Sequence, residues 1–219
     1  MSADEAADTI GRNLGEQLHQ YGVTDEVSTD KILEGLKDGL AGKNATPLDQ
    51  MRLQAFLRSV TEASAAKNAL VAKDYLAHNA TNPGIKTTAS GLQYKVVQVG
   101  DPKAASPQPT DQVTVRYRGS LLDGTEFDSS YKRGIPATLN VSGVIPAWQE
   151  ALLMMKPGAK WQLFVPPELA YGPAPRHGIP GGSLLIFELE LQSFKATPAP
   201  PKVASQGAPT APTAGIQAQ

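Results

Sequence analysis

All 20 glycines and 18 prolines of the 219-residue chain fall outside one stretch, Leu48 to Asn82. A run of that length without a helix breaker constrains the fold more than any other feature, because a strand or loop of such extent inside a compact domain would be exceptional. Thr46-Pro47 opens it with a hydroxyl N-cap, a proline at the first helical position and Asp49 in the first turn. Asn82-Pro83-Gly84 closes it. Roughly 33 residues at ~1.5 Å rise make a rod of about 50 Å, which divides the chain in two. The first half carries Leu48, Met51, Leu53, Phe56, Leu57 and Val60. Ala63–Asn79 is thinner, mainly alanine with Leu70, Val71, Tyr75 and Leu76. Such a helix, apolar at one end and mostly polar at the other, reads as a spacer.

Upstream, Ile10, Leu14 and Leu18 recur every fourth residue beside a small-residue stripe of Ala7, Gly11 and Gly15, predicting a helix over about residues 4–20 that Gly22 stops. A second helix is expected over about 30–42, with Ser28, Thr29 or Asp30 as N-cap, Ile32, Leu33, Leu36 and Leu40 on its apolar face, and Gly35 and Gly39 repeating the small stripe. Glycine inside a helix costs roughly 1 kcal/mol, so four of them call for a compensating contact, usually close approach of crossing helices. Two such helices have too little material for an independent core, the practical limit being ~50 residues. The reading is therefore a helical dimerisation unit over residues 1–60 and a linker helix with its break over 61–84.

The second half changes period. Leu92, Tyr94 and Val96 alternate within 87–100, and a proline-rich loop follows over 102–110. Val113, Val115, Tyr117 and Leu121 alternate with Thr114, Arg116, Arg118 and Ser120, then Asp123-Gly124 turns the chain into Glu126, Phe127 and Asp128. The hairpin gathers a phenol, a phenyl ring and a carboxylate, either as core packing with a surface acid or as part of a site. A short strand at 137–142, a brief helix from Val144 to Met155, and strands at 160–166 (Trp161, Leu163 and Val165 on one face) and 183–194 complete the pattern. About five strands and one short helix without βα alternation indicate an α+β fold: N-terminal all-α helices and a long connecting helix, then an antiparallel sheet wrapped around a short helix over 85–195. Residues 196–219, with seven alanines, five prolines and one charge, read as a disordered tail.

Chemistry is narrowed by what is missing. There is no cysteine, hence no thiolate nucleophile or zinc–sulfur site, and His19, His78 and His177 lack ligand spacing. No phosphate-binding glycine loop, nucleophile elbow or H-E-x-x-H motif occurs, and Ser129-Ser130 has no histidine partner in sequence. A net charge of −1 gives no electrostatic argument for nucleic acid, and no apolar run reaches the ~18 residues of a membrane span. The start, M-S-A-D-E-A-A-D, lacks a signal peptide's apolar stretch. Trp148 at a helix start and Tyr171 in a loop are placed where a cleft, rather than mid-strand packing, would use them.

The ordered series V-x-Y-x-G-x-L-x-D-G-x-x-F-D-S-S, V-I-P-x-W, M-K-P-G, P-P-E-L-A-Y-G and L-I-F-E-L-E-L resembles FKBP-type peptidyl-prolyl cis–trans isomerases across residues 88–194. G-L-K-D-G-L-A-G at 35–42, the long helix and T-x-S-G-L-Q-Y are similar to the two-domain bacterial members related to the macrophage infectivity potentiator. The resemblance implies an isomerase without metal or cofactor, acting on proline-containing unfolded polypeptides, and inhibited by rapamycin-type macrolides. It also implies a V-shaped homodimer with chaperone activity, in the periplasm or at the outer membrane; the sequence itself, lacking a signal, leaves the cytoplasm open. Carried over, the catalytic positions are Tyr117, Phe127, Asp128, Trp148 and Tyr171, and the substrate-binding ones Leu139, Val144, Ile145, Ile179 and Phe187. The tryptophan would floor a prolyl pocket, the Ile145 amide and Tyr171 hydroxyl would donate to substrate carbonyls, and Asp128 with Tyr117 would form the polar side. Leu139 stands where an aromatic is common and Gly143 where Gln or Glu is, and the loop 172–180 is a residue short of the family's pattern. A holdase chaperone and a proline-motif binding module with little turnover are the competing functions.

Overall fold

The computed structural model describes residues 1–23, 27–176 and 178–196. The tail expected over 196–219 therefore lies outside the described residues from 197 onward, and so does His177. Three helices come first: α1 (Ala3–Gln20), α2 (Thr29–Leu40) and α3 (Pro47–Asn79). Their ends follow the local signals. The Ser28 hydroxyl caps α2 by accepting from Lys31 N. Thr46 and Asp49 form a reciprocal capping box on α3, at 3.2 and 3.1 Å, behind Pro47. Gly22 ends α1 at φ +82°, and a Cβ there would meet Ser64 Cβ on α3 at 2.7 Å, so only glycine allows both the turn and the approach.

Strands β1 (Ile85–Thr87), β2 (Gln93–Gln98), β3 (Gln112–Leu121), β4 (Glu126–Ser129), β5 (Ala137–Asn140), β6 (Lys160–Val165) and β7 (Leu185–Lys195) form one antiparallel sheet. Its order is β1-β2-β6-β7-β3-β4, with β5 also on β3. The described sheet has seven strands where the sequence pattern indicates about five; one addition is the short segment after the Pro83-Gly84 break, which pairs with β2 as β1. The β3–β4 turn is the one that Asp123-Gly124 dictates: Gly124 lies at φ +88° and Asp123 Oδ1 accepts from Thr125 N at 2.8 Å.

Helix α4 (Pro146–Met154) packs on one face of the sheet. Ala147, Trp148, Ala151 and Leu152 meet Val113, Val115 and Tyr117 of β3, Leu163 and Val165 of β6, and Leu185, Phe187, Leu189 and Leu191 of β7 in one core. The alternation in β6 holds for Trp161, Leu163 and Val165, but Phe164, on the opposite face with Lys160 and Gln162, is also buried. Its cover is α3: the Tyr75 and Phe164 rings lie 6.1 Å apart. The second half of α3 is thus docked rather than a bare spacer. Ala65 and Ala72 are buried, Asn68 Nδ2 donates to Gly181 O at 2.9 Å, and buried Asn79 Nδ2 donates to Gln93 Oε1 at 2.9 Å. The alanines read as thin are what let the helix approach: a Cβ on Gly182 would fall 2.1 Å from Ala65 O. The first half of α3 and the faces of α1 and α2 leave Ile10, Leu33, Leu36, Leu40, Leu48, Met51 and Leu53 exposed.

Candidate active site

A cavity of about 480 Å³ opens where the β3–β4 hairpin, the start of α4 and the loop after β6 converge. The hairpin supplies Tyr117, Phe127 and Asp128; β5 supplies Leu139; the turn into α4 supplies Gly143, Val144, Ile145 and Trp148. The loop supplies Ala170, Tyr171 and Arg176, and β7 supplies Phe187. Nine of the ten candidates from the sequence therefore line one cavity. Ile179 does not. It is buried in the core, because the turn from Arg176 (Arg176 N to Ile179 O 2.9 Å, Ile179 N to Arg176 O 2.7 Å) sends Ile179 inward and leaves Arg176 at the cavity wall.

The walls are built from edge-to-face rings. Tyr117 and Trp148 lie 5.0 Å apart at 79°, Trp148 and Phe187 5.3 Å at 80°, and Phe187 and Phe127 5.7 Å at 87°. Each contact adds about 0.5–1.5 kcal/mol beyond area burial and fixes ring orientation before any ligand arrives. Gly119 makes the arrangement possible: a Cβ there would lie 2.7 Å from both the Phe127 and Phe187 rings. Trp148 Nε1 is buried without a hydrogen-bond partner among the described residues, so the floor presents ring carbon rather than an accessible donor.

The polar side is a closed network. Tyr117 Oη donates to Asp128 Oδ2 at 2.5 Å, and Arg133 Nη2 donates to Tyr117 Oη at 2.7 Å. Arg133 also ion-pairs with the other Asp128 oxygen and sits 5.4 Å from the Tyr117 ring centroid. Burial pushes the Asp128 carboxyl up, but the bonds from Tyr117 and Arg133 and the guanidinium charge outweigh it and hold it below the usual carboxylate value. Burial first, and the hydrogen bond to the Asp128 carboxylate second, push the Tyr117 phenol up. At neutral pH Asp128 is a carboxylate with its lone pairs engaged and Tyr117 a neutral phenol, so neither is poised as an acid or base. Ser130, fully buried just after β4, accepts from Tyr117 N at 2.8 Å and ties the end of that strand to β3.

Two donors remain unused. Neither the Ile145 backbone N–H nor the Tyr171 hydroxyl has a hydrogen-bond partner among the described residues. Ile145 sits just before Pro146 opens α4, where backbone N–H groups lack intrahelical acceptors. The Tyr171 loop is braced by Gly172 N to Pro167 O at 2.8 Å and Gly182 N to Gly172 O at 2.9 Å. Among the described residues no group of three or more His, Cys, Asp or Glu is placed to hold a metal ion.

The family model for FKBP-type peptidyl-prolyl cis-trans isomerases matches residues 103–192, and the model for the domain amino-terminal to it matches residues 3–96. Peptidyl-prolyl cis-trans isomerase Mip of Coxiella burnetii is 40% identical over 204 residues, covering 88% of this chain and 86% of that protein. The chain belongs to the FKBP-type peptidyl-prolyl cis–trans isomerases. Outer membrane protein MIP of Legionella longbeachae is 38% identical over 203 residues, covering 88% of this chain and 85% of the relative. The crystal structure of FkpA from Escherichia coli superposes with a TM-score of 0.65 at 37% identity, over 90% of this chain and 99% of that one. The reaction of this FKBP-type isomerase is rotation about the peptide bond preceding proline, and its fold is the α+β arrangement of helices and antiparallel sheet expected from the sequence.

The sequence pattern missed Arg133, Ala170, Arg176 and the reason for Gly119 in this FKBP-type domain. Arg133 follows Asp128 by five positions in an irregular stretch, where no periodicity marks a side chain that turns back. Gly119 was visible only as a glycine inside a strand, a local sign of close approach.

Proposed function

We propose that the aromatic cavity between the hairpin, α4 and the Tyr171 loop is the seat of the prolyl ring and the site of bond rotation. The observation that carries this is the pairing of a pre-set apolar floor with two unused donors at its edge, Ile145 N–H and Tyr171 Oη. The barrier to amide rotation is ~18–20 kcal/mol, since C–N resonance must be lost. The planar amide is more charge-separated than the twisted one, so an apolar, water-poor seat favours the twisted form relative to its behaviour in water. The donors hold the flanking carbonyls while the ring is clamped, so binding energy is spent on a geometry near the transition state. No nucleophile is called for. Asp128 and Arg133 act by holding the Tyr117 ring, which forms part of the wall. Leu139 keeps its portion of the wall apolar with less breadth than a ring.

The test is a protease-coupled assay on proline peptides, with and without rapamycin. Turnover abolished by a stoichiometric amount of the macrolide supports the assignment, whereas turnover that the macrolide leaves untouched places the chemistry elsewhere.

A wider assembly is also supported. We read residues 1–60 as a dimerisation unit, 61–84 as the connecting helix and its break, and 85–195 as the isomerase domain. The exposed apolar faces of α1, α2 and the first half of α3 favour a homodimer whose two arms hold unfolded chains between them, giving chaperone activity beside turnover. We place the protein in the periplasm or at the outer membrane, a reading whose outer-membrane part the name of the Legionella relative supports; no helix among the described residues is long and apolar enough to cross a membrane.

A further inference from the structure

The aromatic walls of the cavity account for the prolyl ring, but they carry no charge with which to read an ionised residue beside it. Charge on the cavity wall is where a neighbour would be read, and among the described residues two charged ones line it, Asp128 and Arg176. Asp128 is neutralised by Arg133 and capped by Tyr117, so it offers little field to a substrate. Arg176 is different. Its backbone is pinned by the paired hydrogen bonds to Ile179, which is itself anchored in the core. Its guanidinium lies 5.7 Å from the Tyr171 ring centroid, within cation–π range. It is exposed, and it forms no ion pair among the described residues. A guanidinium resting on a ring face keeps the N–H groups along its edge free, and that edge matches a carboxylate in a bidentate pair.

We propose that Arg176 is a specificity residue that favours substrates with an aspartate or glutamate next to the proline. The inference rests on the reading of the cavity as the prolyl site. Asp128 with Arg133 contributes no net charge, so Arg176 sets the sign of the rim. Lysine beside proline is correspondingly disfavoured, and the preference is screened by salt because the charge is at the surface.

Two peptide series test this on the full chain, one varying the residue before proline and one the residue after it, each as Glu, Gln or Lys. The readout is the ratio of kcat/KM values within each protein, which cancels any general change in activity. In at least one series the wild-type Glu/Gln ratio is expected at about two- to fivefold, the size of an exposed pair, and to shrink in high salt. It falls to about one in Arg176→Gln and inverts in Arg176→Glu. A ratio of one in both series for the wild type, or a ratio unchanged by Arg176→Gln, overturns the assignment. Failure to turn over any peptide takes down the site reading beneath it, and is distinguished from flat selectivity among peptides that are turned over.

Discussion

Gly119 sits at the one point of β3 where two aromatic walls close over the backbone. A methyl there would lie 2.7 Å from both the Phe127 and Phe187 rings, and neither ring has slack because each is edge-on to another. Gly119→Ala is expected to cost about 1–3 kcal/mol by overpacking and to raise KM by displacing the walls, measured by urea denaturation and peptide kinetics. A variant with native stability and KM would mean that the walls tolerate movement. The network around Tyr117 gives two further expectations. Asp128→Leu removes the acceptor that orients the phenol and strands Arg133, and Tyr171→Ala removes the proposed substrate donor. Asp128→Leu loses hydrogen bonds to a charged group, worth ~1.5–3 kcal/mol, and Tyr171→Ala loses a neutral hydrogen bond together with the ring that carries it, so each variant should lose roughly tenfold or more in kcat/KM while remaining folded by circular dichroism. Near-normal activity in both would refute the assignment. The pH dependence follows from the signs. The Asp128 value is lowered on folding, so its stabilisation is complete above the ordinary carboxylate value and is lost as pH falls through the lowered one. The Tyr117 value is raised, so its stabilisation is complete below the ordinary phenol value and is lost as pH rises through the raised one. Between about pH 5 and 9 neither titrates, and kcat/KM of the chemical step should be flat; a bell-shaped profile would reveal an acid or base that this mechanism lacks.

At the scale of elements, what was legible in the sequence was what is local. The caps at Ser28 and Thr46, the stops at Gly22 and Gly42, and the Asp123-Gly124 turn each depend on residues within a few positions, and the helices and hairpin begin and end where those signals put them. Nine cavity residues were reachable because ordered motifs fix their elements. What was not legible depends on distant partners. Phe164 alternates with Leu163 as an outward residue does, and only α3 lying across that face buries it. Arg133 and Arg176 reach the site from irregular backbone, and Ile179 turns away from it because its loop is closed by Arg176. The docking of α3 is itself testable. Asn79 bridges to Gln93, whose Nε2 in turn donates to Leu76 O at 2.8 Å, so the contact ties the end of the helix to β2. Asn79→Ala leaves a buried amide oxygen without its donor, a loss of about 1–3 kcal/mol. The expected result is a lowered denaturation midpoint together with faster hydrogen exchange over residues 61–79 and little change in the centre of β7. Were that half of α3 a free spacer, sheet stability would not respond.

For the whole molecule, the N-terminal helices pose a question that one copy of the chain does not answer. Gly11, Gly15, Gly35 and Gly39 have no neighbouring group among the described residues within 4 Å of where a Cβ would stand, so each carries its helix penalty without the close contact that would justify it. On the same helices Ile10, Leu33, Leu36 and Leu40 are exposed, and burying a side chain of this kind is worth about 1.5–3 kcal/mol. A second copy crossing at the glycine stripes would offset both at once, since small residues admit close backbone approach and bring the flanking leucines into contact. The proposed homodimer therefore predicts a sedimentation coefficient of two chains at micromolar concentration. Leu36→Glu with Leu40→Glu places charges at the centre of that contact and should yield monomers. Because the described residues lining the cavity all come from 117–187, those monomers should still isomerise a short proline peptide, while suppression of aggregation of an unfolding protein, which in the proposed cradle needs two arms, should fall. A wild-type protein that sediments as a monomer with its helices intact would remove the dimer and, with it, the cradle. Monomeric variants that still suppress aggregation at the wild-type level would locate holding of clients in the isomerase domain itself, and reduce the helices to anchoring.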